Sequence, residues 1–146
     1  MTKIATVEDA ISIAAQAHKG QRDKAGALYL LHPLRLMLRM DSEAAMMAAV
    51  LHDVVEDSDW TLEQLRDAGF SEEVLEAVDC LTHRDGESYP EFVERVRTSP
   101  IARQVKIADL EDNMNIRRIN RLGPKDLERL EKYHKAWCVL KGTGND

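Results

Sequence analysis

Apolar residues recur at intervals of three and four along most of the chain, which is the spacing of amphipathic α-helices. Residues 61–64 and 88–91 each match a helix capping box, and Pro100 and Pro124 stand where further helices would begin. No window alternates apolar and polar residues as a half-buried strand does. The pattern therefore predicts an all-α fold, a compact multi-helix bundle of about eight helices. The predicted helices cover residues 6–19, 33–40, 43–57, 61–68, 71–83, 89–97, 100–116 and 124–141.

The predicted helix 43–57 is unusual because its first half is apolar on every side. Residues 44–51 read AAMMAAVL, which indicates a central helix surrounded by others. The helix then ends in HDVVED at 52–57, a segment with three acids. Buried carboxylates are unfavourable unless something compensates them, and the negative end of the helix dipole disfavours acids further. We therefore predict that a positive group lies against this end.

Length and composition narrow the class of protein. The chain has 146 residues, of which 44% are hydrophobic and 32% charged, so we expect a single domain over 1–146 that is neither disordered nor embedded in a membrane. The N-terminus lacks the apolar stretch of a signal peptide, and the isolated Cys80 and Cys138 fit free thiols, so we expect a cytoplasmic protein. The net charge of −6 argues against a broad basic face for nucleic acid.

Two histidines and two acids follow apolar stretches in three separate segments: His32, His52, Asp53 and Asp109. Such a set would make a mixed nitrogen and oxygen site, which suits Mn²⁺, Fe²⁺ or Zn²⁺ better than Ca²⁺ or Mg²⁺. Each residue also has an ordinary structural interpretation, as a hydrogen-bonded pair, a helix cap or a partner of an arginine. Spacing alone leaves open whether the three segments meet in space.

These residues resemble the H…HD…D signature of the HD-domain metal-dependent phosphohydrolases. The flanking motifs are similar to the RelA/SpoT-type alarmone hydrolase domain, and above all to its stand-alone members, the small alarmone hydrolases. The resemblance extends over about residues 6–140, in four blocks that follow the family's order. The blocks are AHKGQ at 17–21 with KAG at 24–26 and YLLHP at 29–33, then AVLHDVVED at 49–57, LT at 81–82, and KIADLEDNM at 106–114.

The resemblance implies hydrolysis of the 3′-diphosphate of ppGpp or pppGpp, which gives GDP or GTP and pyrophosphate. It implies that Mn²⁺ is held by His32, His52, Asp53 and Asp109, with Fe²⁺ or Zn²⁺ as alternatives. Glu56 and Asp57 match the acidic pair that positions the water and handles protons, and which of them is the base stays open. Lys24 and Lys106 match positions near the substrate phosphates, and Asn113 a position that contacts the nucleoside. Outside these matches, Arg84 in the polar loop 83–87 is a candidate phosphate contact.

Two positions depart from the family pattern. Asp23 stands where the family commonly has an arginine that is expected to lie against the guanine base, and Ile116 stands where it often has threonine. These departures leave the reaction type intact and put guanine specificity in question. One alternative is therefore an HD-domain hydrolase of another phosphorylated nucleotide, such as a 3′-phosphorylated cofactor or a nucleoside monophosphate. Another is a nucleotide-binding sensor without catalysis. The oligomeric state is open.

Overall fold

The regular secondary structure is helical in the part of the chain that the computed structural model describes, residues 3–142. No β-strand occurs in this part, and a single isolated bridge between Arg22 and Leu28 closes the loop after the first helix. The predicted all-α fold is confirmed. The elements are α1 (Val7–Ala17), α2 (Leu31–Leu38), α3 (Glu43–Leu51), α4 (Val54–Asp57), α5 (Leu62–Asp67), α6 (Glu72–Cys80), α7 (Tyr89–Arg97), α8 (Pro100–Asn113), a 3-10 helix (Ile116–Arg118) and α9 (Pro124–Lys141).

Helix α3 is the centre of the bundle, as its uniform apolarity predicts. Ala45, Ala48, Ala49, Val50 and Leu51 are all fully buried. The helix packs against α1, α2, α6 and α8, and it is capped by Ser42, whose side chain accepts the Ala45 N–H. The end of α3 therefore lies deep in the molecule, since Val50 and Leu51 are fully buried and His52 is 3% exposed.

The prediction of one continuous helix over 43–57 is wrong. Helix α3 ends at Leu51, and the short helix α4 begins at Val54. The side chain and the backbone of His52 compete for one acceptor, the carbonyl oxygen of Ala49. The imidazole Nδ1 donates to this oxygen at 2.7 Å. The backbone N–H of His52 reaches the same oxygen at 3.4 Å. The last turn of α3 is therefore tightened, and the regular series of α-helical hydrogen bonds ends there. Asp53 consequently stands at the start of α4 and not in the middle of a helix.

Two other boundaries shift for local reasons. Helix α2 begins at Leu31 and not at Pro33, since the N–H of Leu31 and of His32 already bond within the preceding turn and proline is tolerated in a first turn. Helix α8 ends at Asn113, because Asn115 is extended and its side chain accepts the backbone N–H of Arg117. None of the helices between residues 3 and 142 is long and apolar enough to cross a membrane.

Candidate metal centre and active site

Three segments that are distant in sequence meet at one buried point. His32 comes from α2, His52 from the turn between α3 and α4, and Asp109 from α8. One potential ligand atom from each of these residues lies within 4.8 Å of the others. The three residues are only 3–6% exposed. The structure thus brings together three of the four ligands that the resemblance implies.

Asp53, the fourth implied ligand, lies beside this group. Its Oδ2 is 3.0 Å from Nε2 of His52, and the hydroxyl of Tyr29 donates a hydrogen bond to the same oxygen. Burial and the negative charge of Asp53 raise the pKa of Tyr29 above its usual value, so the hydroxyl keeps its proton and acts as a donor. Tyr29 stands in the YLLHP motif, but nothing in the spacing of that motif indicated a contact with Asp53.

The two imidazoles present their Nε2 atoms to the same point. His52 uses Nδ1 for the Ala49 carbonyl, and its buried Nε2 forms no hydrogen bond with any residue of the range 3–142. The oxygens of Asp53 and Asp109 lie 3.0 and 3.5 Å from this nitrogen without hydrogen-bond geometry. A buried nitrogen that lacks a partner between carboxylate oxygens is the arrangement that a divalent cation would satisfy. Two imidazoles and two carboxylates therefore fit a first-row divalent metal.

Sequence reasoning missed the contact between Asp112 and His32. Its Oδ2 lies 2.5 Å from Nδ1 of His32, whose Nε2 lies 2.8 Å from Oδ1 of Asp109. Arg35 and Arg118 also donate to the Asp112 carboxylate. The available signal was its position three residues after Asp109, which places both acids on one face of α8.

A buried ammonium, that of Lys106, lines the same cavity as Asp53 and Glu56, but it hydrogen-bonds Asp109 of α8 and none of the three acids at 52–57. Its Nζ donates to Oδ2 of Asp109 at 2.9 Å. Burial would lower the pKa of this lysine, but the Asp109 charge outweighs burial and raises the pKa above its usual range. Burial would likewise raise the pKa of Asp109, and Lys106 with the two histidines instead holds that pKa well below its usual range. Both groups are therefore charged at neutral pH.

Glu56 and Asp57 differ in their relation to the site. Glu56 accepts the backbone N–H of His83, and burial followed by the Asp53 charge raises the pKa of Glu56 despite this hydrogen bond. Burial and Asp53 raise the pKa of Asp57 as well. Glu56 lines a cavity of about 330 Å³ next to the metal centre, and Asp57 is not part of that lining. This cavity, called the Glu56 cavity below, is lined by His52, Asp53, Glu56, Leu81, His83, Tyr89, Phe92, Lys106 and Lys132.

A second cavity, of about 580 Å³, lies on the Tyr29 side of the centre and is called the Lys24 cavity below. The predicted substrate contacts Lys24 and Asn113 both line it, and Nδ2 of Asn113 donates to Oδ1 of Asp109 at 3.2 Å. Tyr29 also lines it and bonds Asp53, so the metal centre lies between the two cavities. The lining comprises Arg22, Asp23, Lys24, Ala25, Tyr29, Asn113, Asn115, Arg118, Ile119, Asn120, Arg121, Asp126, Arg129 and Tyr133.

The remaining sequence candidates lie further from the centre. The Arg84 side chain is 56% exposed, lies 3.3 Å from Asp79 and lines neither cavity. Asp23 lines the Lys24 cavity, but its carboxylate is already bound: Oδ1 accepts the N–H of Ala25 and of Ala27, and Oδ2 accepts from Arg118. These three hydrogen bonds hold the Asp23 side chain in place, and it is 17% exposed.

Comparison with known proteins agrees with this geometry. Residues 10–119 match the protein-family model described as HD domain. The chain is 32% identical to the human guanosine-3′,5′-bis(diphosphate) 3′-pyrophosphohydrolase MESH1, over 97% of this chain and 86% of that protein. It is 34% identical to a GTP pyrophosphokinase of Streptomyces coelicolor over 77% of this chain, but there it spans only 15% of the relative's length.

A solved structure also resembles the whole described fold. It is described with the words "A metazoan ortholog of SpoT hydrolyzes ppGpp and plays a role in starvation responses". The two chains superpose with a TM-score of 0.77, over 99% of this chain and 90% of that one, at 24% sequence identity. At this identity the likeness establishes the fold, and the cluster of His32, His52 and Asp109 adds the evidence for a divalent metal site.

Proposed function

This chain belongs to the HD-domain family, and on that premise we propose that it hydrolyses the 3′-diphosphate of ppGpp or pppGpp to give pyrophosphate and GDP or GTP. The observation that carries the proposal is the convergence of His32, His52 and Asp109 on one buried point, with Asp53 beside them. The similarity to MESH1 over nearly the full length of both chains supports the substrate. The function of the longer relatives is a weaker guide, since this chain spans a small part of them.

We propose Mn²⁺ as the metal, with Fe²⁺ or Zn²⁺ as alternatives, held by His32, His52, Asp53 and Asp109. The mixed imidazole and carboxylate donors support this choice over Ca²⁺ or Mg²⁺. When bound, such a cation polarises a phosphoryl oxygen and lowers the pKa of a water molecule. The residues around it then have to hold the nucleotide and accept a proton.

Glu56 is the better placed of the two acids to accept the proton of the attacking water. It lines the cavity that includes His52 and Asp53, and the His83 N–H fixes its carboxylate. Lys106 borders this same cavity and supplies positive charge for a phosphate. Lys24 and Asn113 face the other cavity, where they would bind the remainder of the nucleotide. Arg84 would reach a phosphate only after leaving Asp79.

We propose further that the chain acts as one HD-type domain on a small nucleotide in the cytoplasm, without binding nucleic acid. The continuous core from α1 to α9 supports a single domain. The two cysteines are free in the structure, as expected in a reducing compartment.

The direct test is turnover of ppGpp with Mn²⁺ by the purified protein, measured as release of GDP and pyrophosphate. We expect turnover in the wild type, and loss of both turnover and Mn²⁺ dependence in Asp53→Ala. Asp41→Ala is the matched control, since Asp41 is an exposed acid that contacts only Gln104 among the hydrogen bonds of residues 3–142. An inactive wild type, or an Asp53→Ala variant as active as the wild type, would refute the proposal.

A second candidate function is hydrolysis of a different phosphorylated nucleotide by the same centre. The observation that favours it is Asp23, which occupies the position of a family arginine and is bound to Arg118. A panel of ppGpp, 3′-phosphorylated cofactors and nucleoside monophosphates, ranked by kcat/KM, separates the two candidates. A higher kcat/KM for a nucleotide other than ppGpp would replace the first candidate with the second.

A further inference from the structure

The His32 imidazole is bound on both sides by acids of helix α8. Its Nε2 lies 2.8 Å from Oδ1 of Asp109, within the candidate metal centre, and its Nδ1 lies 2.5 Å from Oδ2 of Asp112. An imidazole that donates Nδ1–H to a carboxylate must present Nε2 as the ligand nitrogen. Asp112 contacts the nitrogen of the ring that faces away from the centre, so its direct contact with the centre is made through His32.

Asp112 is itself held rigidly. Its side chain is 10% exposed and accepts three charged hydrogen bonds besides that of His32. Arg35 donates Nε and Nη2 to the two carboxylate oxygens at 2.8 and 3.0 Å, and Arg118 donates Nη1 at 2.8 Å. Arg35 lies on α2, one turn after His32, so the contact fixes α2 against α8 at the level of the ligand.

The network continues to the wall of the Lys24 cavity. The Nη2 of Arg118 lies 3.1 Å from Oδ2 of Asp23, and the other oxygen of Asp23 closes the turn by accepting the N–H of Ala25 and Ala27. Asp23 and Arg118 both line that cavity. A continuous chain of hydrogen bonds therefore connects the loop at Asp23, in the wall of the Lys24 cavity, with the proposed metal ligand His32. It runs in the order Asp23, Arg118, Asp112 and His32.

We propose that Asp112 is a positioning residue of the metal centre: it fixes the tautomer and orientation of His32, and Arg118, held by Asp23, fixes Asp112. The inference rests on the metal site of the proposed function but not on the identity of the nucleotide. It also gives Asp23 a role in this chain, which is to hold Arg118 and not to contact the base. The effect of each residue on the site should decrease with its distance from His32 along the network.

The test is Mn²⁺ affinity, measured by titration of chelator-treated protein without nucleotide, using calorimetry or the EPR signal of free Mn²⁺. Loss of a carboxylate behind a ligating histidine typically weakens metal affinity by about 10–100-fold. We expect a loss of that size in Asp112→Leu, a smaller loss in Arg118→Met and the smallest in Asp23→Ala. Glu111→Leu is the matched control, because Glu111 precedes Asp112 and also pairs with an arginine, Arg39, but does not contact His32.

The readout separates positioning from a purely structural role. If Asp112 only joined α2 to α8, Asp112→Leu would lower the melting temperature but bind Mn²⁺ as tightly as the wild type, and the inference would be overturned. A wild type that binds no Mn²⁺ would overturn it as well. If Asp112→Leu does not fold, Arg118→Met carries the test, and unchanged affinity in that variant counts against the inference. A wild type that binds Mn²⁺ with the expected order of variants but does not hydrolyse ppGpp would refute the proposed function alone.

Discussion

The ammonium of Lys106 neutralises Asp109 of α8, which lies beside the end of the central helix α3. The lysine side chain is 13% exposed and the aspartate side chain 8%, so the pair is screened little by solvent. Lys106 also lies over the ring of Phe92, at 5.2 Å from its centroid. A divalent cation at the centre would compete with this ammonium for the same carboxylate.

Replacing Lys106 should therefore separate stability from metal binding. We expect Lys106→Met to lower the free energy of unfolding of metal-free protein by about 2–3 kcal/mol, because Asp109 keeps His32 and Asn113 but loses its charged donor. Mn²⁺ should then raise the melting temperature more in this variant than in the wild type, since no ammonium on Oδ2 of Asp109 competes with a cation at Oδ1. Thermal unfolding with and without Mn²⁺ measures both quantities.

Lys132→Met is the control for that experiment. Lys132 lines the Glu56 cavity and lies 4.1 Å above the Tyr89 ring, but it forms no ion pair with a candidate metal ligand in the part of the chain that is described. We expect little change in its response to Mn²⁺. An equal response to Mn²⁺ in Lys106→Met and the wild type would show that the ammonium and the metal do not compete.

The two acids after Asp53 should differ in their effect on turnover. We expect Glu56→Gln to lower kcat by about 10²–10⁴-fold, the usual contribution of a positioned general base, because Glu56 lines the cavity and is fixed by the His83 N–H. Asp57→Asn should lower it less. Steady-state kinetics with ppGpp at saturating Mn²⁺ measure both, and a larger loss in Asp57→Asn would assign the base to Asp57.

The interruption between α3 and α4 brings two of the proposed ligands, His52 and Asp53, close together. In a continuous helix, His52 and Asp53 would project about 100° apart around the axis. The observed turn instead leaves Nε2 of His52 3.0 Å from Oδ2 of Asp53. Residues 44–51 are apolar on every side and residues 52–57 include three acids, so the pattern had no regular apolar spacing whose interruption could mark this break. The break depends on a side chain competing for a backbone carbonyl, which hydrophobic patterning does not record.

The loop between α6 and α7 is held beside the Glu56 cavity by one arginine. Arg95 donates to the carbonyls of Cys80 and Thr82 and to both oxygens of Glu87. The same loop provides the His83 N–H that holds Glu56. The conformation of this loop and the position of the proposed base are therefore linked through Arg95.

Removal of that arginine should affect stability and turnover together. We expect Arg95→Met to lower the free energy of unfolding by about 1–3 kcal/mol, since two backbone carbonyls and a carboxylate lose a charged donor. It should also lower kcat, because the loop no longer fixes Glu56. Arg97→Met is the control, since Arg97 forms an exposed pair with Glu94. Denaturant unfolding and ppGpp kinetics give the two readouts. A normal kcat in a destabilised Arg95→Met variant would show that Arg95 does not control the position of Glu56.

The pH dependence of stability should show the same loop contact. Hydrogen bonds from Arg95 hold the pKa of Glu87 at about 2, below its usual 4.5. A lowered folded-state pKa stabilises the protein above the usual value, and this stabilisation is lost as the pH falls from about 4.5 towards 2. The difference in melting temperature between wild type and Glu87→Gln should therefore shrink over that range. A constant difference would show that the Glu87 charge does not stabilise the fold.

At the scale of the whole molecule, the sequence predicted the class of fold and the residues of the candidate centre better than it predicted the side chains that hydrogen-bond to them. The apolar spacing and capping signals sufficed for an all-α bundle with a central α3. The ordered motifs indicated His32, His52, Asp53 and Asp109, which come from three segments. Tyr29, Asp112 and the pairing of Asp23 with Arg118 could not be predicted, because long-range side-chain contacts leave no periodic signal in one sequence.

Metal binding should stabilise those three segments selectively. We expect Mn²⁺ to slow amide hydrogen exchange in α2, in the turn at 52–53 and in α8, and to have less effect in α5, which provides no ligand. At a free concentration 100 times Kd, a ligand stabilises the folded state by about 2.7 kcal/mol. Amide exchange through openings that disrupt the site should slow by the corresponding factor. Hydrogen-exchange mass spectrometry measures this, and equal slowing in α5 and α8 would contradict a local effect.

The contact between Lys106 and Asp109 has a further consequence for how the protein responds when divalent metal is scarce. Small zinc domains unfold when chelators strip them, because nothing replaces the cation. Here the internal ammonium, 2.9 Å from the carboxylate, stands in for the lost positive charge. Starvation for metal should therefore leave an intact but idle enzyme, and resupply should restore turnover at once, with neither refolding nor new synthesis.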